Sequence, residues 1–371
     1  MLPLLVASTL AAFAAALALT LSGAVTRAAA AHIAFAIGVM PLIFAAMMHF
    51  VPVLTRSRAP EGAMRRMPLA FLAAGALAAC AFLHPVWFTP LVHAGAGLAF
   101  LAALVMAVWI ARRGRAALGA PHPGLYWYLA AALCLLLALA AALAIPALPA
   151  QRVALRHFHL HLNTLGFIGL TALGTLAVLL PTAAGRPDPQ AARWLRRMLL
   201  PAFAGVLLTA IGAAAWTPAA YPGVLLLFAP AAYLGVTWAR RFHQEIVCLH
   251  GAAPSLALAL MGLLGMLVIS VLHGAADLDG GDAIAGFLLA FLLPLVTGAA
   301  SQLLPLWLKP GAQTDWHRHA RARLGRYAVL RGQTFVIAGW LVALGWPHGA
   351  WLALAGLVMF AAQALPVAAR R

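Results

Sequence analysis

The segment HLHLNTLGFIGLTALGTLAVLLP, residues 159–181, decides the fold class of this chain. After two histidines and an asparagine it runs on without a charged residue, long enough to cross the ~30 Å hydrocarbon core of a membrane as one helix. Similar runs recur along nearly the whole sequence, of which 65% is hydrophobic and 8% is charged. The runs lack the alternation of polar and apolar residues that a β-barrel needs. We therefore predict an all-α polytopic membrane protein.

The apolar runs predict about twelve transmembrane helices in a single transmembrane domain, residues 1–371. The first run lacks a basic leader, and we interpret it as a membrane helix rather than as a signal peptide. The predicted spans are residues 4–25, 32–54, 67–88, 90–111, 125–148, 158–181, 198–216, 220–239, 254–273, 283–308, 327–346 and 348–368.

The basic residues predict the orientation of these helices. Nearly all of them fall in the loops that follow even-numbered helices, and only Arg27, Arg152 and Arg156 lie at the opposite side. By the positive-inside rule, both termini are then cytoplasmic, in the inner membrane of a bacterium. The net charge of +17 is accordingly a topology signal. We expect the lipid bilayer as partner and no nucleic acid.

Three even-numbered helices end alike, which indicates an internal repeat. Their ends are HFVPVL (49–54), AVLLPT (177–182) and QLLPLW (302–307). Twenty residues before the shared proline lie His32, His161 and Ala285. The spacing of these anchors predicts three pseudo-repeated arcs of four helices.

The first predicted repeat covers about residues 1–60, together with the helices that complete its arc. The second covers about residues 61–190 and the third about residues 191–310. The final two helices, residues 327–368, would complete the ring.

Several of the fourteen histidines fall at the predicted outer ends of the helices, among them His32, His84, His93, His159 and His161. Ionisable groups inside a membrane are costly and usually have a partner or a function. On a helix His159 and His161 point to nearly opposite faces, so one helix can serve two neighbouring sites. Imidazole is a good ligand for haem iron and for copper. The alternative is that these rings cap helices or contact lipid headgroups.

Two segments resemble a known family. Residues 159–181 resemble helix 10 of the main subunits of haem–copper oxidases, especially C-type oxygen reductases and nitric oxide reductases. Residues 31–52, AHIAFAIGVMPLIFAAMMHFVP, resemble helix 2 of that family. The NnrS family, linked to nitric oxide stress, is a more distant resemblance. The helix with two histidines is the sixth in this chain but the tenth in the family. On the tenth helix of this chain, the equivalent position is Ala285.

The resemblance implies a b-type haem, with copper as a second candidate metal, and leaves two site models open. In the first, His32 and His161 clamp one low-spin haem from both sides. In the second, His159 holds a five-coordinate haem, with copper near His32, His84 and His93. In either model Asn163 could orient a ligand or a water molecule.

The function that follows is a redox or electron-transfer role near the periplasmic face, with reduction of nitric oxide or oxygen as one form of it. A periplasmic electron carrier or a quinol would be the electron partner, beside further subunits. The spans hold almost no carboxylate, so we do not expect proton pumping. The alternatives are a non-enzymatic sensor, carrier or assembly factor for haem or copper, and a small-molecule transporter.

Overall fold

The computed structural model describes residues 1–273 and 280–369, and all regular structure in that part is helical. Eleven helices there are long and apolar enough to cross a membrane, which confirms the predicted polytopic all-α fold. They are α1 Leu2–Leu21, α2 Arg27–Thr55, α3 Gly62–Leu83, α4 Phe88–Arg115, α5 Gly124–Ala144, α6 Pro149–Ala183, α7 Ala191–Ala214, α8 Thr217–Arg241, α9 Ala252–Leu272, α10 Gly281–Leu308 and α12 Gly349–Ala369.

The helix between the last two spans is shorter. This helix, α11, covers Ala328–Ala343 with 16 residues, and the predicted count of twelve spanning helices is therefore not confirmed. Consecutive helices pack against each other, and α12 packs against both α1 and α10. The division into four-helix arcs, with repeats at about 1–60, 61–190 and 191–310, stays a prediction.

Three of the helices change to π-helical geometry near one end. The π-helical segments are Ile33–Val39 in α2, Leu162–Gly169 in α6 and Leu288–Leu292 in α10. The first two begin directly after His32 and His161, and the third begins three residues after Ala285. All three therefore lie at matching positions relative to the shared proline. Such segments are rare and are frequently found at functional sites.

Proline explains two of these three segments. Pro41 and Pro294 stand in the first turn after the π-helical residues of α2 and α10. A proline has no N–H for the α-helical hydrogen bond and crowds the preceding turn, which favours a wider turn there. The matching residue of α6 is Leu170, which has an N–H, so proline is not required for this geometry.

The interior of the bundle lies around α2, α6 and α10. In α6, 89% of the most apolar stretch is buried, and in α10 72%, against 39% in α1. The ring of Phe44 in α2 stacks on Phe71 of α3, with centroids 3.8 Å apart, and on Phe167 of α6 at 5.1 Å. Burial of three phenylalanines at one junction packs α2 against α6 within the bundle.

Two of the π-helical segments press against glycines. A Cβ atom on Gly75 of α3 would overlap the carbonyl group of Ala36, with the carbonyl carbon 2.5 Å away. A Cβ atom on Gly262 of α9 would overlap the carbonyl group of Ala290 in the same way. In both places backbone meets backbone, so only glycine allows the observed approach.

The loop before α5 contains a histidine that should make the fold sensitive to acid. The backbone N–H of Gly124 donates to Nδ1 of His122 at 3.2 Å, so this nitrogen must be unprotonated. Burial, and secondly the positive charge of Arg196, hold the pKa of His122 below its usual 6.5. Below pH 6.5, His122 therefore binds more protons in the unfolded chain than in the folded protein. The contribution of neutral His122 to the free energy of unfolding is complete above that pH and is lost as the pH falls.

We expect His122→Asn to reduce this sensitivity, because asparagine keeps a hydrogen-bond acceptor but does not titrate. Between about pH 7 and about pH 5, the thermal unfolding midpoint should fall less for the variant than for the wild type. The measurement is thermal unfolding of both proteins in the same detergent. Equal losses in the two proteins would show that protonation of His122 does not affect the fold.

Candidate functional site

His159 lies near the start of α6 and points toward α5. Its ring nitrogen Nδ1 lies 2.8 Å from the carbonyl oxygen of Ala138. A carbonyl can only accept, so Nδ1 carries the proton and Nε2 carries a lone pair. The half-buried ring is thereby fixed in one orientation and one tautomer.

Asn163 lies one helical turn after His159 and contacts its ring. The amide nitrogen Nδ2 is 3.3 Å from Nε2 and 3.5 Å from Nδ1 of the histidine. An atom on the lone-pair axis of Nε2 would be much farther from Nδ1 than from Nε2. The near equality of the two distances therefore places the amide beside the ring, and the lone pair of Nε2 stays available to a ligand.

His32 lies at the matching end of α2. Its Nδ1 donates to the carbonyl oxygen of Ala28 at 2.8 Å, which again leaves the lone pair on Nε2. The ring stacks on Phe82 of α3 with centroids 4.3 Å apart. The imidazoles of His32 and His159 are close enough for their charges to interact. One histidine of α2 and one of α6 thus lie within electrostatic range of each other.

His161 belongs to a different face of α6. Its Nδ1 donates to the carbonyl oxygen of His157 at 2.8 Å, and the two histidines interact electrostatically. His157 itself lies toward α7, where its Nδ1 donates to the carbonyl oxygen of Ala213 at 3.0 Å. For the described residues, the structure gives no interaction between His161 and His32. The predicted clamp of one haem by these two residues stays a prediction.

His32, His159 and His161 share an arrangement that suits metal binding and that His93 and His157 also have. In each ring, Nδ1 donates to a backbone carbonyl and Nε2 has its lone pair free of any backbone donor. Histidines that bind metals usually hold their second ring nitrogen in this way, because the hydrogen bond fixes the ring and makes the ligating nitrogen more basic. His32, His159 and His161 are therefore chemically suited to bind haem iron.

The remaining predicted ligands lie on the outside of the bundle. His84 follows α3 and His93 lies early in α4, and both are exposed. Nδ1 of His93 donates to the carbonyl oxygen of Thr89 at 2.8 Å. Within residues 1–273 and 280–369, no three His, Cys, Asp or Glu residues come together as a metal site. The copper site at His32, His84 and His93 stays a prediction, because these residues are not among any such group in the described part of the chain.

Sequence reasoning missed several parts of this site. The carbonyls of Ala28 and Ala138 have no sequence signal, since every residue has one. The stacking of Phe82 on His32 also depends on how α2 and α3 pack. The π-helical segments were missed too, although Met40-Pro41 was a local signal in α2.

Comparison of the chain with models of protein families found no match, and comparison with curated proteins found none either.

Proposed function

We propose that this chain is a membrane b-type haem protein of haem–copper oxidase type, in which His32 and His159 ligate one haem and the protein transfers electrons. The resemblance of residues 31–52 and 159–181 to two helices of that family supports the kind of group bound. The observation that carries the proposal is that His159 acts electrostatically on His32, while each of the two rings has Nδ1 held by a backbone carbonyl.

The surrounding residues support this assignment. Phe82 supplies an apolar face against His32, and Asn163 holds the ring of His159 on one side. The neighbouring π-helical segments put irregular backbone beside both histidines, as is common at functional sites. A haem bound there would supply one-electron redox chemistry.

If His32 and His159 both held the iron, no position would be left for a gas, which favours electron transfer over reduction of nitric oxide or oxygen. We place this site at the periplasmic face, because the basic loops of the sequence lie at the opposite ends of the helices. A periplasmic carrier or a quinol is the proposed electron partner. Copper is not part of the proposal.

The test is the absorption spectrum of the purified full-length protein, oxidised and reduced. We expect a Soret band, a reduced b-type α band and about one haem per chain by the pyridine haemochrome assay. A colourless preparation from haem-replete cells would contradict the proposal and favour a transporter in which the histidines only pack.

Carbon monoxide separates electron transfer from gas reduction. If Nε2 of both His32 and His159 is bound to iron, we expect the spectrum of the reduced protein to stay unchanged under carbon monoxide. His32→Ala should open one position and make the reduced protein bind the gas. Rapid binding to the wild-type protein would indicate an open iron position and would contradict the two-histidine site.

A further inference from the structure

A partly open cavity lies between the last helix and the segment that follows α10. The short helix Asp315–Leu324, here the connecting helix, packs against α10 and α12. Its apolar side buries Ala320 and Leu324. The cavity has a volume of about 840 Å³. Such a helix beside membrane-spanning helices is typical of the membrane surface.

The polar side of the cavity is basic. Arg323, Arg326 and His319 line it, and none of the lining residues is acidic. The nearest carboxylate in sequence, Asp315, is paired with Arg318 outside the cavity. The cavity therefore offers two exposed guanidinium groups without a competing anion in its lining.

A buried arginine lies behind this lining. Arg331 of α11 is only 1% exposed, and Nη1 donates to Oε1 of Gln363 at 2.6 Å. Gln363 lines the cavity, and so does Arg326, whose carbonyl oxygen accepts from Nη1 of Arg331 at 3.4 Å. The Nε atom of Arg331 is buried without a hydrogen-bond partner. None of the described contacts of this guanidinium is with a carboxylate, so none of them neutralises its charge.

The other side of the cavity suits hydrocarbon. Met359, Ala362, Pro366 and Val367 of α12 line it. Trp316 and Tyr327 line the cavity as well, and such aromatic rings are enriched at the level of lipid headgroups. A ligand that fits has an anionic head and an apolar tail.

We propose that this cavity binds an anionic phospholipid of the cytoplasmic leaflet, with its phosphate at Arg323 and Arg326 and an acyl chain along α12. The charge of Arg331 attracts the phosphate through the low-dielectric interior behind Gln363. The basic loops place this end of the bundle on the cytoplasmic side, where anionic lipids are concentrated. The site is independent of the haem site at the opposite ends of the helices.

Native mass spectrometry of the full-length protein with added phosphatidylglycerol tests this. Loss of two guanidinium groups in Arg323→Gln/Arg326→Gln should weaken lipid binding about 30-fold. Both side chains are exposed, so the variant should fold. The matched control is Arg58→Gln/Arg65→Gln, which removes the same charge from exposed positions outside the cavity and should bind like the wild type.

Two further compounds, added in the same experiment, identify the ligand. Phosphatidylcholine should bind much more weakly than phosphatidylglycerol, because its headgroup has no net charge. Inorganic phosphate at millimolar concentration should not displace the lipid. Displacement by phosphate would assign the site to free phosphate instead, and equal binding by the two double variants would overturn the proposal.

Discussion

Replacing Gly262 by alanine should lower the free energy of unfolding by about 3 kcal/mol or more. The new Cβ atom would overlap the carbonyl group of Ala290, with the carbonyl carbon 2.5 Å away. Ala290 cannot retreat, because Gly339 of α11 contacts its other side, where an added Cβ would lie 2.6 Å from the Ala290 side chain. Relief would therefore require α9 and α10 to move apart along the buried centre of the bundle.

Gly97→Ala in α4 is the matched control, since it makes the same chemical change in a helix where an added Cβ meets no atom within 4 Å. In an open helical position alanine is favoured over glycine by about 0.5–1 kcal/mol. Unfolding by heat or denaturing detergent should show a large loss for Gly262→Ala and none for Gly97→Ala. Similar behaviour of the two variants would show that the close approach of α9 to α10 does not exist.

The double variant His32→Ala/His159→Ala should lose its haem, with a content at least about tenfold below the wild type. The variant would lack both nitrogens that the proposal assigns to the iron. The measurement is the ratio of haem to protein in preparations from haem-supplemented cells.

His84→Ala/His93→Ala is the control for this experiment. It also removes two histidines from the same end of the bundle, but both are exposed, and we expect an unchanged haem content. Loss of haem in the control, with retention in His32→Ala/His159→Ala, would move the site to the outside of α3 and α4.

Much of the fold could be predicted because hydrophobic length is a strong signal. The run that ends at Pro181 could only be a buried or membrane-spanning helix, and the same pattern located most other helix ends to within a few residues. The starts of α6 and α7 were predicted too late, at 158 and 198 instead of at Pro149 and Ala191. The exceptions are local. The apolar pattern of residues 327–346 predicted a full span, but the helix covers only Ala328–Ala343, because hydropathy does not report where the last turn unwinds.

The site could be predicted only in part. The spacing of His159 and His161 predicted that they point to nearly opposite faces of the helix, since each residue turns by about 100°, and the structure turns His159 toward Ala138 of α5. The spacing could not show which histidine of α6 lies nearest to His32. That depends on the packing of Phe44 against Phe167 and on the π-helical turns, neither of which follows from periodicity.

The central claim is that His32 and His159, rather than His32 and His161, hold one haem between them. Electron paramagnetic resonance of the oxidised protein tests it most directly, by comparing the wild type with His159→Ala and with His161→Ala. We predict a low-spin signal that becomes high-spin in His159→Ala and is unchanged in His161→Ala. A high-spin signal in His161→Ala, with the wild-type signal retained in His159→Ala, would contradict this account.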